Sequence, residues 1–312
     1  MTDNSSAIVA ERPALSPPAT TGLWWGLLGV AAFSLTLPLT RIAVGGLSPL
    51  FTGSARAVVA AVLATLALTF TRQRLPHGVQ WVRLAVVGGG VVVGFPLLTS
   101  FALTSVPASH AAVVVGVLPA ATAVIAVLRG HERPPVAFWV AAGVGALAAM
   151  TFASIQSGGL GHLHWADLLL FGAVLAVAIG YAEGGLLARE LGAWQTVSWA
   201  LVVCAPLMVL LAGLSAARQA PDATPVEWAA FGYLGVVSMF LGFFAWYRGL
   251  AIGPMAQVSQ VQLVQPVLGI AWAGLLLGER ITGTTVAGAL CVILCAASAV
   301  RVRFETPTTA AR

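Results

Sequence analysis

Residues 254–280 read PMAQVSQVQLVQPVLGIAWAGLLLGER, and residues 107–133 read PASHAAVVVGVLPAATAVIAVLRGHER. Laid over one another at an offset of 147, Pro107, Pro119, Glu132 and Arg133 fall on Pro254, Pro266, Glu279 and Arg280. Four matches at one offset mark an internal repeat. Five apolar spans fit within that offset, and five is odd, so the two copies face opposite ways across a bilayer. Inverted-topology repeats recur in secondary transporters, which hold their substrate near the midplane between the halves.

Composition agrees with a lipid environment. Of 312 residues, 59% are hydrophobic and 8% charged, where soluble domains carry about 25% charged residues. A helix needs about 20 apolar residues to cross the hydrocarbon, and the chain divides into ten such stretches: 22–42, 50–71, 82–104, 109–128, 135–154, 166–188, 194–214, 227–250, 255–275 and 282–302. The fold expected is therefore an all-α integral membrane protein of ten transmembrane helices in two inverted five-helix repeats, 22–154 and 166–303. The connector 155–165 lies outside the membrane; 1–21 is a disordered tail and 304–312 a second tail. Trp24, Trp25, Trp81, Trp165, Trp194 and Trp228 stand where runs begin, as amphipathic rings do at the headgroups. No charged, then apolar, then small-residue cleavage pattern precedes the first span, which is expected to be retained.

The fifteen basic residues are all arginine. They lie singly between apolar runs, which argues against nucleic acid as a partner. With a cytoplasmic N-terminus, eleven (Arg12, Arg72, Arg74, Arg83, Arg129, Arg133, Arg189, Arg248, Arg301, Arg303, Arg312) fall inside and three (Arg41, Arg218, Arg280) outside. By the positive-inside rule both termini are expected in the cytoplasm of a bacterial-type plasma membrane. Arg56, the fifteenth, lies within the second span. Cys204, Cys291 and Cys295 sit in apolar runs without a CxxC pair and are expected to be buried thiols. The run Gly88-Gly89-Gly90 is no phosphate loop, because the chain has no lysine. His131-Glu132 lacks the second histidine of HExxH, so neither metal nor other cofactor is expected.

The stretch Trp246–Thr282, WYRGLAIGPMAQVSQVQLVQPVLGIAWAGLLLGERIT, resembles the signature of EamA-type members of the drug/metabolite transporter superfamily. The aromatic-x-x-x-Leu, Pro254, Pro266 and Gly278-Glu279-Arg280 carry the likeness. The first half is similar through Pro49, Arg56, Pro107, Pro119 and Glu132, and departs at Gly130-His131-Glu132, where a histidine separates glycine from glutamate. The resemblance spans roughly residues 22–302. It implies ten helices, a central cavity, no enzymatic step, and a cargo drawn from amino acids, their derivatives, sugars or toxic compounds. Export of an amino acid or related metabolite is the direction favoured by analogy. A channel or a permease subunit is the alternative, and an intramembrane enzyme a more distant one.

Polar groups inside spans are costly unless they face a wet path or one another. In the ninth span Gln257, Gln260 and Gln265 share one broad face, with Gln262 beside it, and either line a cavity or bind neighbouring helices. Gln257 falls on His110 at the repeat offset; that histidine either titrates and gates transport or is a satisfied interfacial group. Glu183 is read as the only carboxylate inside a span. It is a proton carrier or partner for a cationic cargo, or else pairs locally near Arg189. Arg56 is read as an outer-side packing or snorkelling residue. Ser34, Thr36, Thr99, Ser100, Tyr181, Trp246 and Tyr247 are candidate cavity residues, and Pro38, Pro119 and Pro266 candidate kinks. Gly90/Gly94 and Gly180/Gly184 form GxxxG pairs suited to close helix packing, or to a homodimer.

Overall fold

The computed structural model describes residues 19–130, 135–156, 164–252 and 261–305, and the regular elements among these residues are all helical. Eight helices are long and apolar enough to cross a membrane: α1 (Thr21–Gly46), α2 (Pro49–Phe70), α3 (Gln80–Ala102), α4 (Ala108–Arg129), α5 (Val136–Gln156), α6 (Trp165–Leu191), α7 (Ala193–Arg218) and α8 (Pro225–Gly249). Two shorter apolar helices follow, α9 (Gln262–Leu277) and α10 (Gly283–Ser298). Leucines, valines and a phenylalanine face outward from the bundle, among them Phe70, Leu275 and Leu294. So much exposed apolar surface suits lipid and not water. The chain is a multi-pass membrane protein.

Three helices break where proline removes a donor, whereas α7 runs unbroken through Pro206. In α1 the helix is interrupted at Leu35, because Pro38 has no N–H for the Ser34 carbonyl; Leu39 resumes the ladder by donating to Leu35 O at 3.0 Å. In α4 the turn at Gly116 and Val117 precedes Pro119. In α9 a 3-10 turn, Gln262–Val264, precedes Pro266. Wider π turns occupy Gly89–Gly94 in α3 and Leu234–Leu241 in α8. The offset of 147 places Gly89–Gly94 on 236–241 and Gly116 on Leu263, so these breaks repeat along with the sequence, whereas Leu35 falls on Ala182 within the unbroken α6. Helix contacts repeat as well. α1 packs on α8 as α6 packs on α3, α9 lies against α1 as α4 lies against α6, and α2 meets α7, α4 meets α9 and α5 meets α10. For these pairs, adding five to a helix in the first half gives the contacts of its counterpart.

The closest backbone approach joins α3 to α6. A Cβ on Gly90 would lie 2.2 Å from the Ala176 carbonyl oxygen, and one on Gly180 would lie 2.7 Å from Val91 Cγ2. Both GxxxG pairs thus serve contacts within the chain, with Gly184 giving way to the Tyr247 hydroxyl. Gly278 ends α9 in the left-handed conformation, φ +65°, where glycine carries no steric cost. The cysteines are all free, but only Cys204 is buried; Cys291 is exposed and Cys295 half-buried. The expectation of buried thiols fails for Cys291 because α10 turns one face outward.

Gly90→Ala is expected to destabilise the protein by about 1–3 kcal/mol through overpacking. Gly89→Ala, whose Cβ would meet nothing within 4 Å, is expected to stay within about 0.5 kcal/mol of the parent. Thermal unfolding of the two variants in detergent checks the difference.

Candidate functional site

The irregular backbone segments converge on a central cavity. Phe33, Thr36 and Leu37 of α1, Arg56 of α2, Val91 and Pro96 of α3, Leu118 of α4, Tyr181 of α6, Ser238 and Phe243 of α8 and Gln265 of α9 all line it. At the repeat offset Val91 pairs with Ser238, Pro96 with Phe243 and Leu118 with Gln265, so both halves contribute equivalent positions to one space. A second lobe shares Phe33, Leu37, Leu118 and Gln265 and adds Ser34, Pro119, Gln262 and Pro266. The room left for water-sized molecules in the larger lobe is ≈ 30 Å³, space for about two waters. A metabolite enters only if the walls move.

The polar groups here are few. Thr36 Oγ1 and Ser238 Oγ, one from each half, share a hydrogen bond of 2.7 Å. Ser34 Oγ donates to Ala31 O at 2.7 Å and accepts from Trp272 Nε1 at 3.0 Å. Gln262 Nε2 and Gln265 Oε1 are buried and have no hydrogen-bond partner among the described residues. Sequence reasoning set Gln262 beside the polar face rather than on it. The 3-10 turn eclipses residues three apart, and so brings Gln262 and Gln265 to the same space. Gln257, Gln260 and Glu132 lie outside the described residues.

Arg56 does not snorkel to an interface. It is 1% exposed, deep in α2. Its Nη1 donates to Thr40 Oγ1 at 3.3 Å and its Nη2 to Thr99 Oγ1 at 3.5 Å, both long for N–H···O bonds. Its Nε has no partner. The snorkelling expectation fails because α1 and α3 enclose the side chain at mid-helix.

Several other candidates lie elsewhere. Trp246 and Tyr247 are buried in α8 but do not line the central cavity; Trp246 backs onto Gly29, and Tyr247 stacks on Phe243 at 5.8 Å. Thr99 is buried behind Arg56. His110 belongs to the other end of the bundle, where its Nε2 lies 2.7 Å from Asp167 Oδ1. Asp167 is 0% exposed and also accepts from His164 N at 2.9 Å, closing the first turn of α6 as a capping box. Glu183 is thus not the only carboxylate inside a span. His110 and His164 border a polar vestibule of ≈ 420 Å³ with Ser105, Gln156, Glu279 and Arg280.

Two ionic ties mark the two ends. At one, Glu183 of α6 accepts from Arg83 Nε of α3 and from Arg129 Nε of α4, the latter at 3.0 Å, while Arg83 Nη1 also reaches Glu190. Its partners are these two arginines rather than the neighbouring Arg189, because α3 and α4 both pack on α6. At the other end Glu279, just past α9, accepts from Ala108 N at 2.8 Å and Ser109 N at 2.9 Å. Pro107 opens α4 without a capping side chain, so a carboxylate from the other half satisfies its free N–H groups and meets the positive end of its dipole.

The EamA-like transporter family model matches residues 20–154 and again 164–300. The chain belongs to that family. The two matches divide it where the repeat does. Relatives include the uncharacterized transporter YdeK of Bacillus subtilis (strain 168), 44% identical over 291 residues that cover 90% of this chain and 98% of YdeK. A probable terminal-alkyne amino-acid exporter of Streptantibioticus cattleyicolor is 25% identical over 263 residues, covering 81% of this chain and 85% of that protein. A known crystal structure shares the fold, with a TM-score of 0.61 at 18% identity over 93% of this chain and 99% of the other.

Glu183→Gln leaves two arginines facing each other. It is expected to cost about 1–3 kcal/mol, less than the 3–5 kcal/mol of a fully buried pair, because the Arg129 side chain is 54% exposed. The double variant Arg83→Gln/Glu183→Gln is expected to be more stable than the sum of the two single losses by about 0.5–3 kcal/mol. Thermal unfolding of the four members of the cycle measures this; strict additivity would show the tie to be energetically idle.

Proposed function

We propose that this chain is a secondary transporter that moves a small metabolite, an amino acid or a related compound, out of the cell by alternating access. The observation that carries the proposal is the central cavity, walled by equivalent positions of two repeats and too narrow to admit cargo as it stands. Such a space serves a carrier that rocks its halves around a fixed site. The family supports transport, and the amino-acid exporter among its relatives supports the class of cargo. In this reading α9 and α10 complete a set of ten spans, the two five-helix halves are inverted, and both termini are cytoplasmic.

The two ionic ties then act as gates. The Glu183 cluster closes the cytoplasmic end, where arginines also fix the topology, and Glu279 on the start of α4 closes the outer end. Each must loosen in turn for cargo to cross. No covalent step is involved; the protein's residues bind, enclose and release.

Counterflow into proteoliposomes of purified protein preloaded with unlabelled amino acids tests the proposal. Uptake of label is expected to saturate with concentration and to be accelerated by internal substrate. Uptake that rises linearly, with no acceleration by internal substrate, would favour a channel. A fluorescent reporter that folds only in the cytoplasm, fused after Arg312, is expected to be bright.

A further inference from the structure

We propose that Arg56 is the counter-ion of the cargo, so that the central cavity takes a compound with a carboxylate and an apolar, aromatic-sized body. The inference rests on the transport reading of that cavity and narrows it. A guanidinium taken out of water needs an opposite charge or a full set of acceptors. Arg56 has neither. Among the described residues no carboxylate lies within 4 Å of it, whereas Arg83 and Arg129 both reach Glu183. Its two acceptors are single hydroxyl oxygens, and each of these already donates its own hydrogen to a helix carbonyl: Thr40 to Thr36 O and Thr99 to Phe95 O, both at 2.6 Å. The lone pairs are thereby turned to the guanidinium and hold it in place without neutralising it. The Nε has no partner among the described residues.

The position is also where the repeat breaks its own pattern. The offset of 147 sets Val203 of α7 against Arg56, so the charge belongs to one half only and no symmetric packing role accounts for it. Beyond Arg56, Thr36, Ser238 and Gln265 the walls are mainly apolar and aromatic, with Phe33, Phe95, Phe243, Tyr181 and Met239. Among the described residues no acid lines this space, so a cargo ammonium would have only hydroxyls, amides and ring faces. A carboxylate meets the planar fork of arginine through two parallel hydrogen bonds, a geometry lysine does not offer. The anionic head is therefore the group the site reads, and the ammonium is dispensable.

Thermal stabilisation of the purified full chain by a matched panel separates these groups: L-phenylalanine, N-acetyl-L-phenylalanine and 3-phenylpropanoate, which keep the carboxylate, against phenethylamine and L-phenylalaninamide, which lack it. The three carboxylates are expected to stabilise native protein, and the two others to need roughly 10–100-fold higher concentration for the same shift. In Arg56→Gln that preference is expected to vanish, and in Arg56→Lys to shrink. Equal stabilisation by phenethylamine or the amide, an unaltered preference in Arg56→Gln, or no stabilisation by any of the carboxylates would overturn the proposal. The first arm needs native protein only, so a variant that fails to fold does not block the test. Because the panel reads binding and not flux, carboxylate-selective binding without counterflow would sink the transport reading and leave the assignment of Arg56 standing.

Discussion

In hydrocarbon every backbone N–H and C=O must find a partner within the protein, and this constraint decides where the chain is free to be irregular. A spanning helix can break only where the freed groups face protein or a wet cavity. Residues flanking the interruptions at Leu35 (Ser34, Thr36) and at Gly116 and Val117 (Val115, Leu118) line one central space, together with Gln262 and parts of the π turns of α3 and α8. Pro38, Pro119 and Pro266 each follow a break by a few residues and fix it in place. Among the described residues, the breaks of both halves are thus tolerated together beside this cavity.

Charge is handled with the same economy. Glu183 is shared by two arginines, Asp167 by His110 and the turn that opens α6, and Glu279 by the start of a helix in the other half. These carboxylates tie segments that lie far apart in the chain. Among the described residues Arg56 is the exception, a buried cation held by hydroxyls without a carboxylate.

Much of the fold was legible in the sequence. Apolar run length gave the helices, and four residues at one offset gave the repeat, because both are carried by spacing along the chain. The candidate site was less legible, since its partners come from three or more helices. Arg56 read alone looks like a residue near an interface; only Thr40 of α1 and Thr99 of α3 make it central. The amide face of α9 was projected with a regular 3.6-residue turn, and the 3-10 turn at Gln262 rotated it. Trp246 and Tyr247 are cavity candidates in sequence because a buried aromatic looks the same there whether it lines a space or fills one. Asp167 is hard to read from spacing alone, because at the first turn of its helix a capping role and a buried hydrogen bond with His110 coincide.

The central claim is that the cavity opens to one side at a time. It can be tested by replacing Cys204, Cys291 and Cys295 with alanine, placing one thiol in the cavity as Ser238→Cys, and following its modification by a membrane-impermeant reagent from either face of sealed vesicles. Adding Glu183→Gln or Glu279→Gln, one at each end, is predicted to shift the two rates in opposite directions, one face gaining as the other loses. Rates that rise together from both faces would mean a continuous pore, and a thiol that no reagent reaches from either face would remove the cavity from the transport path.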